Sequence, residues 1–66
     1  MKLTGEIIRE LADFADGAEC KIVNDGKYAL AGEILSAVLV TRKEDGESIR
    51  IFENGMVENG KVSHGA

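Results

Sequence analysis

Residues 1–26, MKLTGEIIRELADFADGAECKIVNDG, contain the signals of a capped helix followed by a strand and a turn. Thr4 is a favourable N-cap, so we expect a helix to begin at Gly5. Gly17 can adopt the left-handed conformation that often ends a helix, which places the end at Ala15 or Asp16. This stretch predicts an N-terminal helix of about three turns.

The predicted helix is amphipathic. At about 100° per residue, one stripe of its surface collects the apolar side chains of Ile7, Ile8, Leu11, Phe14, Ala15 and Ala18. The opposite side collects the carboxylates of Glu6, Glu10 and Asp13. The apolar stripe is therefore expected to pack on a sheet and the acidic side to face solvent.

The segment after the helix reads as a series of strands. Residues 19–24 alternate, with Cys20 and Ile22 on one face, and Asp25-Gly26 is a turn signal. Residues 29–40 also fit a helical stripe, and this alternative stays open. The second half of this segment, residues 34–41, is apolar on both faces and ends in Val-Leu-Val-Thr, which favours a strand.

A hairpin is predicted at Glu44-Asp45-Gly46-Glu47, with Asp45 and Gly46 in the turn. That turn would pair Lys43 with Ser48, Arg42 with Ile49, Val40 with Ile51 and Leu39 with Phe52. Two later Asn-Gly pairs allow alternative turns, so a short edge strand is expected near residues 56–62 and a frayed tail at residues 63–66. The chain is expected to form a single α+β domain over residues 1–66, with one amphipathic helix packed on a three- or four-stranded antiparallel sheet.

Composition limits the possible functions. The 66 residues carry 12 acidic and 8 basic side chains, a net charge of −4, which disfavours direct binding to nucleic acid. No apolar run approaches the length of a membrane span, and the single cysteine fits a reducing compartment, so a cytoplasmic protein is expected.

The residues that could perform chemistry are few. His64 is the only histidine and lies in the predicted tail, where no fixed partner would orient it. Cys20 is better explained as a core thiol than as a nucleophile, because free cysteine behaves as a small apolar residue. One cysteine and one histidine do not form a zinc module, and no phosphate-binding glycine loop is present. We therefore expect no catalytic residues, no metal, no cofactor and no enzymatic activity.

Two surface features are candidates for binding. The first is acidic and is expected to contact a partner through Glu6, Glu10, Asp13, Asp16, Glu19, Glu44, Asp45 and Glu47. The second is apolar, because one helix covers only one face of a sheet. Leu35, Ala37 and Leu39 on the other face are expected at the interface of a homodimer, unless the register places Ile34, Val38 and Val40 outward instead.

The segment EIIRELADFADGAECKIVNDG, residues 6–26, resembles small accessory proteins of bacteriophages and prophages, in which a helix precedes a strand ending in Asp-Gly. Ala15 replaces a frequent proline, and Cys20 replaces a usual valine. The resemblance implies a phage or mobile-element protein in a bacterial host cell. It carries over no functional residue, because the role of such proteins is usually unassigned. Small acidic phage proteins include inhibitors of host defence of the anti-CRISPR type, and we expect this chain to bind a host protein or nucleoprotein complex through its acidic surface. The alternative is a structural or assembly protein that oligomerises through the apolar sheet face.

Overall fold

A computed structural model describes residues 3–59, which form one helix packed on a four-stranded antiparallel sheet. The elements follow in the order α1 (Gly5–Ala15), β1 (Cys20–Leu30), β2 (Glu33–Arg42), β3 (Ser48–Phe52) and β4 (Val57–Asn59), and the strands lie side by side in chain order. The predicted α+β fold is confirmed. The predicted tail, residues 63–66, and the end of the predicted last strand lie outside the described residues.

The helix begins and ends as its sequence predicts. The Thr4 hydroxyl oxygen accepts a hydrogen bond from the Ile7 amide at 3.1 Å and donates one to the Glu53 carbonyl at 3.2 Å. At the other end, Asp16 already has φ of +47° and Gly17 follows at +83°. Thr4 therefore both caps α1 and ties its first turn to the segment after β3.

The sheet has a helix-covered face and a helix-free face. On the covered face, α1 packs its apolar side chains on a cluster formed by Ile7, Val38, Val40 and Ile51, with Leu11, Phe14, Cys20 and Ile49 against it. Ile8 is 52% exposed, although the sequence periodicity predicts it on the apolar stripe. It lies about 100° around the helix from Ile7, which is fully buried.

The helix-free face has a small core of its own. Leu35, Ala37 and Phe52 are buried there, and Tyr28 and Leu30 pack against them. Two of the three residues predicted at a dimer interface, Leu35 and Ala37, are thus covered within one chain, while Leu39 is half-buried. Those two side chains are not available to a second copy. The homodimer itself stays a prediction.

The turn predicted at Asp25-Gly26 is wrong. β1 continues through it to Leu30, and the pairing shifts by one residue between Asn24 opposite Val38 and Lys27 opposite Ser36. Gly26, with φ of +83°, provides the conformation that a bulge requires. The reversal occurs instead at Ala31-Gly32, where both residues have positive φ. Residues 33–42 form a strand, so the helical alternative for residues 29–40 is also wrong.

The hairpin between β2 and β3 exists, but its predicted register is wrong by two residues. Val40 pairs with Ile49 and Val38 with Ile51, because the connection spans residues 43–47 rather than a two-residue turn. The Asp45 carboxylate accepts a hydrogen bond from the Glu47 amide at 3.0 Å, which holds this longer loop. A shift of two residues keeps every side chain on its face, so the apolar pairing survives.

We predict that Thr4→Ala lowers the free energy of unfolding by about 1 to 2 kcal/mol, since it removes a cap and a hydrogen bond to Glu53. Urea denaturation followed by circular dichroism measures this. Thr4→Ser keeps the hydroxyl and is the control. Equal stability of the alanine and serine variants would show that the cap contributes nothing.

Ala31 is a second test of the fold because an alanine in the left-handed region is strained. We predict that Ala31→Asn raises the free energy of unfolding by about 0.5 to 1 kcal/mol, since asparagine tolerates this conformation and favours the turn. Ala29→Asn, two residues away in β1, should give no gain. A loss of stability in Ala31→Asn would contradict the turn geometry.

Candidate binding surface

The end of the helix lies beside the connection between β2 and β3. The Lys43 amide donates to the Glu19 carbonyl at 2.9 Å, and the Arg42 guanidinium donates to the Phe14 carbonyl at 2.6 Å. Arg42 also lies over the Phe14 ring, 4.5 Å from its centre. These contacts bring together two segments that lie more than twenty residues apart in sequence.

We call the surface formed there the acidic end. It carries five exposed carboxylates, those of Asp16, Glu19, Glu44, Asp45 and Glu47, and two basic side chains, those of Arg42 and Lys43. The carbonyls of the helix C-terminus add partial negative charge. The acidic end is thus negative in sum, as the sequence predicts for these residues.

Both basic groups of the acidic end are bound to its own carboxylates. Arg42 Nη2 lies 2.7 Å from Asp45 Oδ2, and Lys43 Nζ lies 3.3 Å from Glu19 Oε2. The hydrogen bonds from Arg42 and from the Glu47 amide lower the pKa of Asp45. The Asp45 carboxylate in turn raises the pKa of Arg42. The Arg42 and Asp45 side chains are therefore held in a fixed arrangement.

The other predicted carboxylates form a separate helix flank, defined by Glu6, Glu10 and Asp13. Glu6 lies at the other end of α1, close to Gly55 in the turn before β4. A Cβ atom added to Gly55 would lie 3.1 Å from the Glu6 Cβ. A helix of this length spans about 16 Å. The structure therefore divides the predicted surface into the acidic end, at the C-terminus of α1, and the helix flank, which extends along α1 toward Gly55. A shallow groove on α1 is lined by Arg9, Glu10, Ala12 and Asp13.

The helix-free face holds an ion-pair network that the sequence did not reveal. Arg50 of β3 donates from Nε to Asp25 at 2.5 Å and from Nη1 to Glu58 at 2.6 Å. The Tyr28 hydroxyl donates to the same Asp25 carboxylate at 2.8 Å, and its ring lies 4.9 Å from the Arg50 guanidinium carbon. The one available signal was Asp25-Gly26 in a strand, which can mark a bulge as well as a turn.

The pKa values within this network are shifted by its contacts. Partial burial tends to raise the pKa of Asp25, but the hydrogen bonds from Arg50 and Tyr28 outweigh it and leave that pKa below its usual value. The hydrogen bond from Tyr28 to Asp25 raises the pKa of Tyr28, and the hydrogen bond from Arg50 to Asp25 raises the pKa of Arg50. Asp25 and Arg50 therefore both favour their ionised forms, as is typical of a structural ion pair.

Among the described residues, the remaining candidates for chemistry add no site. Cys20 is half-buried against the helix-covered cluster, with its sulfur 3.7 Å from the Ala18 carbonyl oxygen. His64 lies outside the described residues. Within residues 3–59, no three histidine, cysteine, aspartate or glutamate side chains are grouped as metal ligands. Across the same residues, no helix has the length and apolar character needed to span a membrane.

No family model matches the chain, and neither a curated protein nor a solved structure shows significant similarity to it.

The Asp25 network predicts a specific acid sensitivity. Because the folded state lowers the pKa of Asp25, its contribution is present above the unfolded value of about 3.9 and is lost as pH falls through the folded value. We predict that Asp25→Asn loses less stability than the wild type between about pH 6 and about pH 2, measured by urea denaturation. Tyr28→Phe should be intermediate.

Asp45 also has a lowered pKa, so Asp25→Asn should keep part of the acid dependence. If the variant and the wild type lose the same unfolding free energy over this range, the Asp25 contacts are not formed in solution.

Proposed function

We propose that this chain is a non-enzymatic binding domain whose acidic end and helix flank contact a basic surface on a partner protein. The observation that carries the proposal is the contact between the Lys43 amide and the Glu19 carbonyl. It joins the end of the helix to the β2–β3 connection and concentrates carboxylates from both segments on one surface.

The acidic end suits a charged partner in two respects. Its carboxylates are exposed, so they can attract lysine and arginine side chains over distances of about 8 to 10 Å at physiological salt. Arg42 and Asp45 are held by mutual hydrogen bonds, and such order in the free protein lowers the entropy that binding would cost. Phosphate backbones would be repelled, which favours a protein or the protein component of a nucleoprotein complex.

The resemblance of residues 6–26 to phage accessory proteins would make the partner a bacterial host protein, and inhibition of a host-defence complex would be one form of this activity. The alternative, assembly through the apolar sheet face, has less support. Leu35 and Ala37 of that face are 7% and 0% exposed within a single chain.

The test compares two matched charge reversals. Glu44→Lys changes the acidic end, whereas Glu33→Lys changes an exposed glutamate at the start of β2 by the same two units of charge. We predict that Glu44→Lys captures about three- to tenfold less of a partner than Glu33→Lys does. The measurement is quantitative mass spectrometry of proteins captured from a bacterial lysate by immobilised wild-type and variant chains.

The triple variant Glu6→Lys, Glu10→Lys and Asp13→Lys tests the helix flank in the same assay. Partners bound through the acidic surface should also be released by added salt. A partner retained equally by the wild type, Glu44→Lys and the triple variant would mean that the acidic surface is only solvated, and the proposal would be rejected.

A further inference from the structure

β1 forms an edge of the sheet, and among residues 3–59 its hydrogen-bonded neighbour is β2 alone. Two contacts fix which of its backbone groups point outward. The Lys43 amide donates to the Glu19 carbonyl, and these two residues lie one position beyond the Cys20–Arg42 pair. The Arg42 amide donates in the opposite direction, to the Glu47 carbonyl beside β3. Since bonding direction alternates along an antiparallel strand, Lys21 and Val23 bond to β2. The amides and carbonyls of Cys20, Ile22 and Asn24 therefore point away from the sheet.

Two large apolar side chains of this edge are exposed. Ile22 is 41% exposed on the helix-covered face, and Val23 is 40% exposed on the other. The bulge that follows Asn24 ends the regular edge, and Gly26 bonds back to the Asn24 side chain at 3.2 Å. Edge strands with unpaired backbone groups are templates for a further strand.

We propose that residues 20–24 of β1 pair with the same residues of a second copy, antiparallel, about a two-fold axis perpendicular to the sheet at Ile22. Cys20 of each copy then lies opposite Asn24 of the other, and the outward backbone groups form about six hydrogen bonds. The pairing joins two four-stranded sheets into one and places both helices on the same side. Because each copy uses the same edge, the assembly closes as a dimer.

The charges along the edge allow this pairing. Lys21 lies opposite Val23, so residues 20–24 place no like charges directly opposite each other. The two Lys21 side chains are diagonal neighbours about 7 to 8 Å apart, and both are exposed to solvent. Beyond them, Glu19 approaches Asp25 of the other copy, but each carboxylate is paired within its own chain, Glu19 with Lys43 at 3.3 Å and Asp25 with Arg50 at 2.5 Å. The pairing would also enlarge the apolar core of a chain whose size gives marginal stability.

The decisive variant is Ile22→Lys, which would place two ammonium groups opposite each other at the axis. Ile34→Lys is the matched control, since Ile34 is 65% exposed and lies on β2 away from this edge. Sedimentation equilibrium up to about 500 µM should give twice the 7.1 kDa chain mass for the wild type and for Ile34→Lys, and the single mass for Ile22→Lys. Circular dichroism checks that both variants are folded.

Asn24→Cys tests the register independently, because its new thiol would lie opposite Cys20 of the other copy, within disulfide reach. Mild oxidation should yield a cross-linked dimer of Asn24→Cys and little from Ile34→Cys. A wild type that remains at 7.1 kDa over the whole range would overturn the proposal, and so would an Ile22→Lys variant that dimerises as the wild type does. Neither result bears on Asp16, Glu44, Asp45 and Glu47 of the acidic end, because Glu19 is the one carboxylate of that surface that approaches the other copy in this pairing.

Discussion

One helix of eleven residues can shield only one face of a four-stranded sheet, so the other face must be stabilised by its own side chains. The chain meets this constraint with Phe52, which is 1% exposed and packs edge-on to Tyr28, with ring centres 5.6 Å apart. Leu35 and Ala37 lie beneath these rings in the same cluster. The consequence is a second small core where an open apolar face would otherwise invite association.

Arg50 connects this second core to the edges of the sheet. It lies on β3 opposite Leu39 of β2, and its guanidinium bonds to Asp25 on β1 and to Glu58 on β4. The bulge at Asp25-Gly26 contributes to this arrangement. The added residue places Tyr28 rather than Lys27 on the helix-free face, where its hydroxyl bonds to the Asp25 carboxylate. The same bulge ends the regular edge of β1, so one local irregularity serves both the helix-free face and the strand-pairing surface.

The sequence was sufficient where local rules act alone. The Thr4 cap, the glycine after the helix and the β-branched run before Thr41 predicted α1, the strand character of β2 and the α+β class. The sequence was insufficient where a contact between distant residues determines the local structure. Asp25-Gly26 reads as a turn until Arg50 is placed beside it, and Ala31 is no turn residue in isolation. The register of β3 depends on a loop that is held by Asp45. The acidic end depends on contacts between segments that are remote in sequence.

Asp25 and Arg50 are expected to act together in holding the helix-free face. A double-mutant cycle with Asp25→Asn, Arg50→Met and the combined variant tests it most directly, with unfolding free energies from urea denaturation at neutral pH. For a pair that is mostly shielded from water, at 24% and 16% side-chain exposure, we expect a coupling energy of about 1 to 3 kcal/mol. Additive losses, with coupling below about 0.3 kcal/mol, would contradict the account.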